Sequence, residues 1–193
     1  MNMPTINYKT YTIMPNSMLS KLEEPIGIIT HDAGSSNMIF SLIKKYKEKK
    51  ILMYLEGPAK NIWKKDFPNF KNDEFNVLIN ECKTLLTGTS SNFEKEHIAR
   101  KKVKFLKKKN IVYLDNWTNY EYRFIYKNKN ILPDEIWVSD DKALEYANSF
   151  FPSVNNILIP NFYRDEIIKK YNKSKFLNKS KQEKRYYICQ NRF

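Results

Sequence analysis

Short apolar runs alternate with longer stretches whose apolar residues recur at helical spacing, and this alternation organises most of the chain. The run "IGIIT" (Ile26–Thr30) reads as a buried strand, and Ser35 to Lys47 carries helical spacing at Ile39, Leu42, Ile43 and Tyr46. A second strand, Ile51 to Leu55, is closed by the turn "EGPA". Between Asn76 and Gly88, "NVLIN" and "TLLTG" predict one or two further short strands. Ser91 precedes Glu94 at the spacing of a capping box and opens a helix with Ala99, Val103 and Leu106 on one face. Strands follow at Ile111 to Asp115 and around Ile136 to Ser139. Asp140 or Asp141 caps a helix toward Phe150, and Pro152 ends it. A strand at Asn156 to Pro160 and a helix at Arg164 to Tyr171 repeat the unit.

Strands alternating with helices on this period predict a mostly parallel sheet covered by helices on both faces. The expected fold is therefore a Rossmann-like α/β domain over residues 1–172. Residues 173–193 change character. A lysine-rich, linker-like stretch leads to "RYYICQ", which reads as the first strand of a second, missing or truncated domain.

Composition narrows this picture only slightly. The chain's 193 residues suffice for one domain with a real core, and 28% charged against 41% hydrophobic residues is a globular balance. No apolar run approaches the roughly 18 residues of a membrane span, and the N-terminus lacks the pattern of a signal peptide. Cys82 and Cys189 lie too far apart for a metal or redox motif, which favours a reducing cytoplasm, with or without attachment to the inner membrane surface. The net charge of +13 (34 basic against 21 acidic residues) invites a nucleic-acid reading. However, the lysines accompany an excess of Asn, Ile and Tyr, as in a translated AT-rich genome, and no nucleic-acid-binding signature accompanies them. Many sit where a helix exposes them, as in "KKYKEKK" and "KFLKKKN", and lysines at a helix end suit its dipole. An anionic membrane surface or a phosphorylated ligand fits the same charge.

Three polar clusters fall at the carboxyl ends of predicted strands, where parallel α/β sheets gather ligands. The first, "HDAGSSN", holds His31, Asp32, Gly34, Ser35 and Ser36. Its single glycine makes it neither a dinucleotide fingerprint nor a P-loop, leaving an anion-binding helix start or a plain capped turn. "TGTSS" repeats that chemistry with Gly88, Thr89 and Ser90. "DNWTNYEYRF" combines Asp115, Asn116, Trp117, Asn119, Tyr120 and Arg123, hydrogen-bonding groups interleaved with aromatic faces that suit sugars or bases. A structural alternative buries Trp117 and Phe124 and pairs Arg123 with Asp115. His31 and Asp32 have the chemistry of a general base and its partner, although neighbours point apart if the strand continues through them. Ser35 and Ser36 lack the G-x-S-x-G elbow of a hydrolase, and His97 reads as a surface residue of a helix. No His, Cys, Asp or Glu spacing indicates a metal, and no cofactor is implied.

Taken in order, "HDAGSSN", "EGPA", "LLTGTSSNFE", "LDNWTNYEYRF", "LPDEIWVSDDKA" and "FP" resemble the N-terminal half of a family of bacterial GT-B-like glycosyltransferases of surface-polysaccharide biosynthesis. The resemblance spans about Ile26 to Tyr163 and is most specific at Trp117 to Phe124. The family pattern has a histidine before that tryptophan; here the position is Asn116, so no acid-base role is implied there. The resemblance implies an acceptor-side domain facing a second, donor-binding domain, inactive without it. His31 and Asp32 would serve as acid-base groups, and the partners would be a nucleotide-sugar donor and a glycan or lipid-linked acceptor. Related folds also include sugar-nucleotide epimerases. A different class of reading is a noncatalytic module for an anionic glycan or lipid head group, and nucleic acid ranks last.

Overall fold

The computed structural model describes residues 22–45, 49–91 and 93–173. It separates into two compact units, Met1–Pro160 and Asn161–Phe193. In the first, a six-stranded sheet has the order β2-β1-β3-β4-β7-β8, with every pairing parallel. Its strands are β1 (Ile26–Thr30), β2 (Ile51–Leu55), β3 (Thr84–Thr87), β4 (Lys109–Tyr113), β7 (Glu135–Val138) and β8 (Asn155–Leu158). The helices are α1 (Ala33–Lys44), α2 (Gly57–Asp66), α3 (Phe75–Glu81), α4 (Glu94–Phe105) and α5 (Asp141–Phe150). This is the α/β, Rossmann-like architecture expected from the alternation. Among the described residues, no helix is long and apolar enough to cross a membrane.

The central strands are continuous apolar runs because both faces are covered: every residue of β1 and β3 is buried, whereas edge strand β8 is not. One register row, Ile29–Thr87–Val112–Ile136, faces α3, α4 and α5. Leu78, Ile79, Ala99 and Val103 pack at one end of it, and Ala143, Ala147 and Phe151 at the other. Gly27 admits α3 to this face, since a Cβ there would lie 2.7 Å from Leu78 Cδ2 and 2.9 Å from Cys82 Cβ. The chain leaves β1 toward β2 and returns on its other side to β3, so the strand order reverses between β1 and β3. In an open parallel sheet, that reversal opens a crevice at the carboxyl ends of the two strands.

Several local expectations are corrected. "EGPA" is a helix start rather than a turn: Glu56 holds the N-cap position of α2 and Pro58 sits in its first turn, where a missing N–H costs nothing. "NVLIN" lies in helix α3, because the Glu74 carboxylate accepts the N–H groups of Asn76 and Val77 and fixes a helical entry. Ser91 does not cap α4. The N-cap position is Phe93, and no side chain caps it. Leu106 is exposed rather than packed beside Ala99 and Val103. A hairpin absent from the sequence reading, β5 (Ile125–Tyr126) and β6 (Lys129–Asn130), turns through Lys127 and Asn128, both at positive φ. In the second unit, Asn161 accepts the Arg164 N–H and caps a helix over 162–173. The anticipated "RYYICQ" strand lies outside the described residues.

Candidate functional site

β1 stops at Thr30, so His31 and Asp32 leave the strand and turn toward each other instead of pointing apart. His31 Nδ1 lies 2.8 Å from Asp32 Oδ1, and the hydroxyl of Ser90 donates to the same oxygen at 2.9 Å. Both contacts fall on Oδ1. Oδ2 accepts no side-chain hydrogen bond among the described residues, and the Asp32 side chain is 49% exposed. The His31 ring is enclosed, stacked on Phe93 at 5.1 Å, with Nε2 directed at Gly57, where a Cβ would come within 2.4 Å. Geometry therefore divides the expected pair: Asp32 offers the reachable oxygen and His31 orients it.

Ser35 and Ser36 begin α1 but point into the protein. Both hydroxyls meet Thr30 Oγ1, at 3.3 and 2.9 Å, and the Ser36 hydroxyl also donates to the Asp32 carbonyl. They anchor the loop from below, and both are buried. Gly34 and Gly88 are contact points. A Cβ on Gly34 would sit 1.8 Å from Asp115 Oδ2, and one on Gly88 would sit 2.2 Å from Ser35 Oγ. A carboxylate thus already occupies the start of α1, where a phosphate would otherwise be favoured.

The third cluster is split by the fold. Asp115 pairs with Arg123 at 3.7 Å, and Arg123 also donates to Thr89 Oγ1 at 2.8 Å, to the Thr118 carbonyl and to Asn116 Oδ1. Asn116 is thereby tied to Arg123 and to the N–H of Thr118. Asn119 takes a left-handed backbone conformation (φ 56°) and starts the short 3-10 turn Tyr120–Tyr122. Tyr120 is a core residue, contrary to its assignment as a ligand contact: it is buried among Phe124, Ala143 and Phe151, and its hydroxyl donates to the Ala143 carbonyl. Burial pushes that hydroxyl up to about 12. Trp117, which the structural alternative placed in the core, is 54% exposed, and its indole N–H is held by Asp140 at 3.1 Å.

Beneath the loop of residues 88–90 lie two charged residues that sequence reasoning missed. Glu96 and Arg100 are both fully buried on α4. Glu96 Oε2 accepts the Ser90 N–H at 2.6 Å, while Oε1 has no hydrogen-bond partner. Burial raises the Glu96 carboxyl to about 7 against the lowering pull of Arg100 and the Ser90 N–H. Arg100 donates to Thr87 Oγ1 and to the Gly88 carbonyl at 3.0 Å. It also donates to His97 Nδ1 at 2.7 Å. His97 is therefore a half-buried acceptor stacked on Tyr126 rather than a surface residue, and burial together with Arg100 lowers it to about 4. The only sequence signal for this pair was its i, i+4 spacing directly after "TGTSS".

A second missed group flanks His31. Glu56 accepts from Lys95 and from the Tyr54 hydroxyl. Burial raises the Glu56 carboxyl, but those hydrogen bonds outweigh it and hold the group below its ordinary range. The rim is thus rich in carboxylates, with Asp32, Glu56, Asp115 and Asp140 following β1, β2, β4 and β7 of a strongly basic chain. Among the described residues, no group of three or more His, Cys, Asp and Glu side chains converges as a metal site requires. No protein-family model, curated protein or solved structure matches this chain.

Proposed function

We propose that the carboxyl edge of β1 and β3 binds a hydroxyl-rich sugar, and that the domain is the acceptor side of a glycosyltransferase-like protein of cell-surface polysaccharide synthesis. The observation that carries this reading is the pairing of a reachable carboxylate with an exposed aromatic face on one rim. Asp32 presents Oδ2, and Trp117 presents its ring while Asp140 occupies its N–H. Carboxylates accept from sugar hydroxyls, and an indole face packs against the apolar C–H face of a pyranose. The acidic rim and the carboxylate at the start of α1 favour a neutral polyol over a free phosphate at this position.

In this reading Asp32 takes the proton of the attacking acceptor hydroxyl as that oxygen bonds to the anomeric carbon of the donor sugar. The bond from that carbon to the phosphate oxygen breaks, and the nucleotide leaves with the electron pair. His31 and Ser90 fix the carboxylate through Oδ1 and leave its second oxygen for the substrate. A donor nucleotide sugar would be held by a separate domain. Noncatalytic binding of a neutral glycan would use the same Asp32 and Trp117, whereas the acidic rim disfavours the anionic ligand of the noncatalytic alternative.

The test uses tryptophan emission. Of the three tryptophans, Trp63 and Trp137 are buried and Trp117 is exposed, so external quenching reports mainly on Trp117. Titration with a panel of neutral oligosaccharides and sugar nucleotides is expected to protect that emission saturably. Asp32→Asn is expected to weaken the interaction about tenfold or more, the cost of one charge-assisted hydrogen bond. A panel in which nothing saturates sinks the proposal, and an unaffected Asp32→Asn variant removes Asp32 from it.

A further inference from the structure

On the outward face of α4, away from the carboxyl rim, Ile98, Lys101, Lys102 and Phe105 form one helical stripe. Between α3 and the β5–β6 hairpin, this stripe floors a groove of about 680 Å³ that also takes in Ile79, Leu106, Tyr126 and Lys127. Among the described residues, no carboxylate lines it. At its end Phe105 is 86% exposed and Leu106 44%, within the run "KKVKFLKKK". Lys101 and Lys107 form no side-chain hydrogen bond or ion pair among the described residues.

The backbone adds an independent observation. α4 ends in a Schellman motif, with Lys108 N–H bonded to the Val103 carbonyl and Lys107 N–H to the Lys104 carbonyl. The left-handed position of that motif, which glycine normally takes, is held by Lys107 at φ 55°. The hairpin turn repeats this with Lys127 at φ 49°. Lys127 thus lines the groove in a strained conformation, and Lys107, equally strained, directly follows the groove residue Leu106; such outliers point to use of the side chain.

We infer that this face docks on an anionic lipid bilayer, with Phe105 and Leu106 inserted at the head-group boundary and Lys101, Lys102, Lys107 and Lys127 on acidic head groups. Charge complementarity selects this occupant. A second copy presenting the same face would bring lysines against lysines. Asn76, Asn80 and Tyr126 also line the groove, but the Asn76 amide is held by Lys102 and Glu74 and the Tyr126 hydroxyl by Glu94. The aliphatic floor of Ile79, Ile98 and Leu106 suits acyl chains better than the bases of a nucleic acid. Aromatic insertion beside a lysine cluster is the combination that holds a protein on a membrane surface. This inference is independent of the sugar-binding reading.

Flotation of the full chain with phosphatidylcholine vesicles, with and without 30% phosphatidylserine, tests it. Binding is expected only with phosphatidylserine and is expected to fall steeply with salt. Phe105→Ala is expected to weaken it about tenfold or more, and Lys101→Gln about fivefold. Phe105 is too exposed for its replacement to unfold the protein, and Lys107→Gly supplies a second variant whose fold is relieved of strain while its binding falls. The inference is overturned by absence of flotation at low salt, by Phe105→Ala binding unchanged, or by a single-stranded RNA competing fully and responding to the same substitutions.

Discussion

Replacing Glu96 by Gln is expected to stabilise the protein at alkaline pH and to leave it unchanged in acid. Glu96 is fully buried, one oxygen lacks a partner, and its carboxyl is raised from an ordinary 4.5 to about 7. That difference corresponds to about 3 kcal/mol between the neutral and ionised forms. Because the folded value lies above the unfolded one, the native state holds the extra proton between pH 4.5 and 7. Stability from this group is complete below pH 4.5 and is lost as pH rises through 7. Glutamine keeps an oxygen for the Ser90 N–H and never ionises, so it reproduces the protonated form. The variant should exceed wild type by about 3 kcal/mol at pH 8.5, a Tm higher by roughly 5–10 °C, with no difference at pH 4. Wild type alone would hide this. His97, depressed to about 4, contributes stability present above pH 6.5 and lost as pH falls through 4, which opposes the Glu96 slope. The assay is urea unfolding of wild type and variant in parallel across pH 4–9, where subtraction cancels the titrating groups that do not interact with Glu96. A difference that does not change with pH would refute the desolvation argument, and a variant less stable at pH 8.5 would show that attraction to Arg100 dominates.

Gly34→Ala should drive Asp115 away from the start of α1 and cost about 1–3 kcal/mol in chemical denaturation, since its Cβ meets Asp115 Oδ2 at 1.8 Å. Tyr120→Phe should cost about 1 kcal/mol in the same measurement and leave saccharide titration unchanged, because the Tyr120 hydroxyl is buried and donates to the Ala143 carbonyl. Lys107→Gly should raise stability by about 1 kcal/mol by relieving the left-handed conformation, an effect read from the urea midpoint.

The strands were legible because a parallel sheet covered on both faces demands continuous apolar runs, and "IGIIT" and "TLL" have little competing interpretation. "NVLIN" was not legible, since an apolar run of that length suits a buried strand or a short helix equally. Its fate rests on Glu74, whose carboxylate supplies two hydrogen bonds that a strand would not use. "EGPA" carried the same ambiguity, because proline suits both a turn and the first turn of a helix. The hairpin after Phe124 had no visible signal: its strands are two residues long, and its turn uses Lys127 and Asn128 where glycine would have announced it.

The rim itself was legible for a topological reason, while the roles within it were not. Strand ends of a parallel sheet converge, so three polar loops after three strands had to meet, but spacing does not say which aromatic turns inward. Trp117, which the structural alternative buried, is exposed, and Tyr120, expected as a ligand contact, is buried; Asn119 between them takes a left-handed conformation. Glu96 and Arg100 have the i, i+4 spacing common on solvated helix faces, and only the tertiary structure shows that they are buried beneath the loop of residues 88–90. Their burial has a consequence for the rim. Glu96 holds the Ser90 N–H and Arg100 holds the Gly88 carbonyl, while Ser90 reaches Asp32 and Thr89 reaches Arg123. Arg123 in turn ties Asn116 and Asp115, and the loop after β4 is joined to the start of α5 through Trp117 and Asp140. The loops after β1, β3, β4 and β7 are thus one connected set of hydrogen bonds with the buried Glu96 and Arg100 side chains beneath it. A site built this way is held in position before any ligand arrives, and supporting groups of this kind fix reactive side chains to within about half an ångström of their working geometry. The cost of burying Glu96 is therefore located directly beneath the part of the molecule that gains from being rigid.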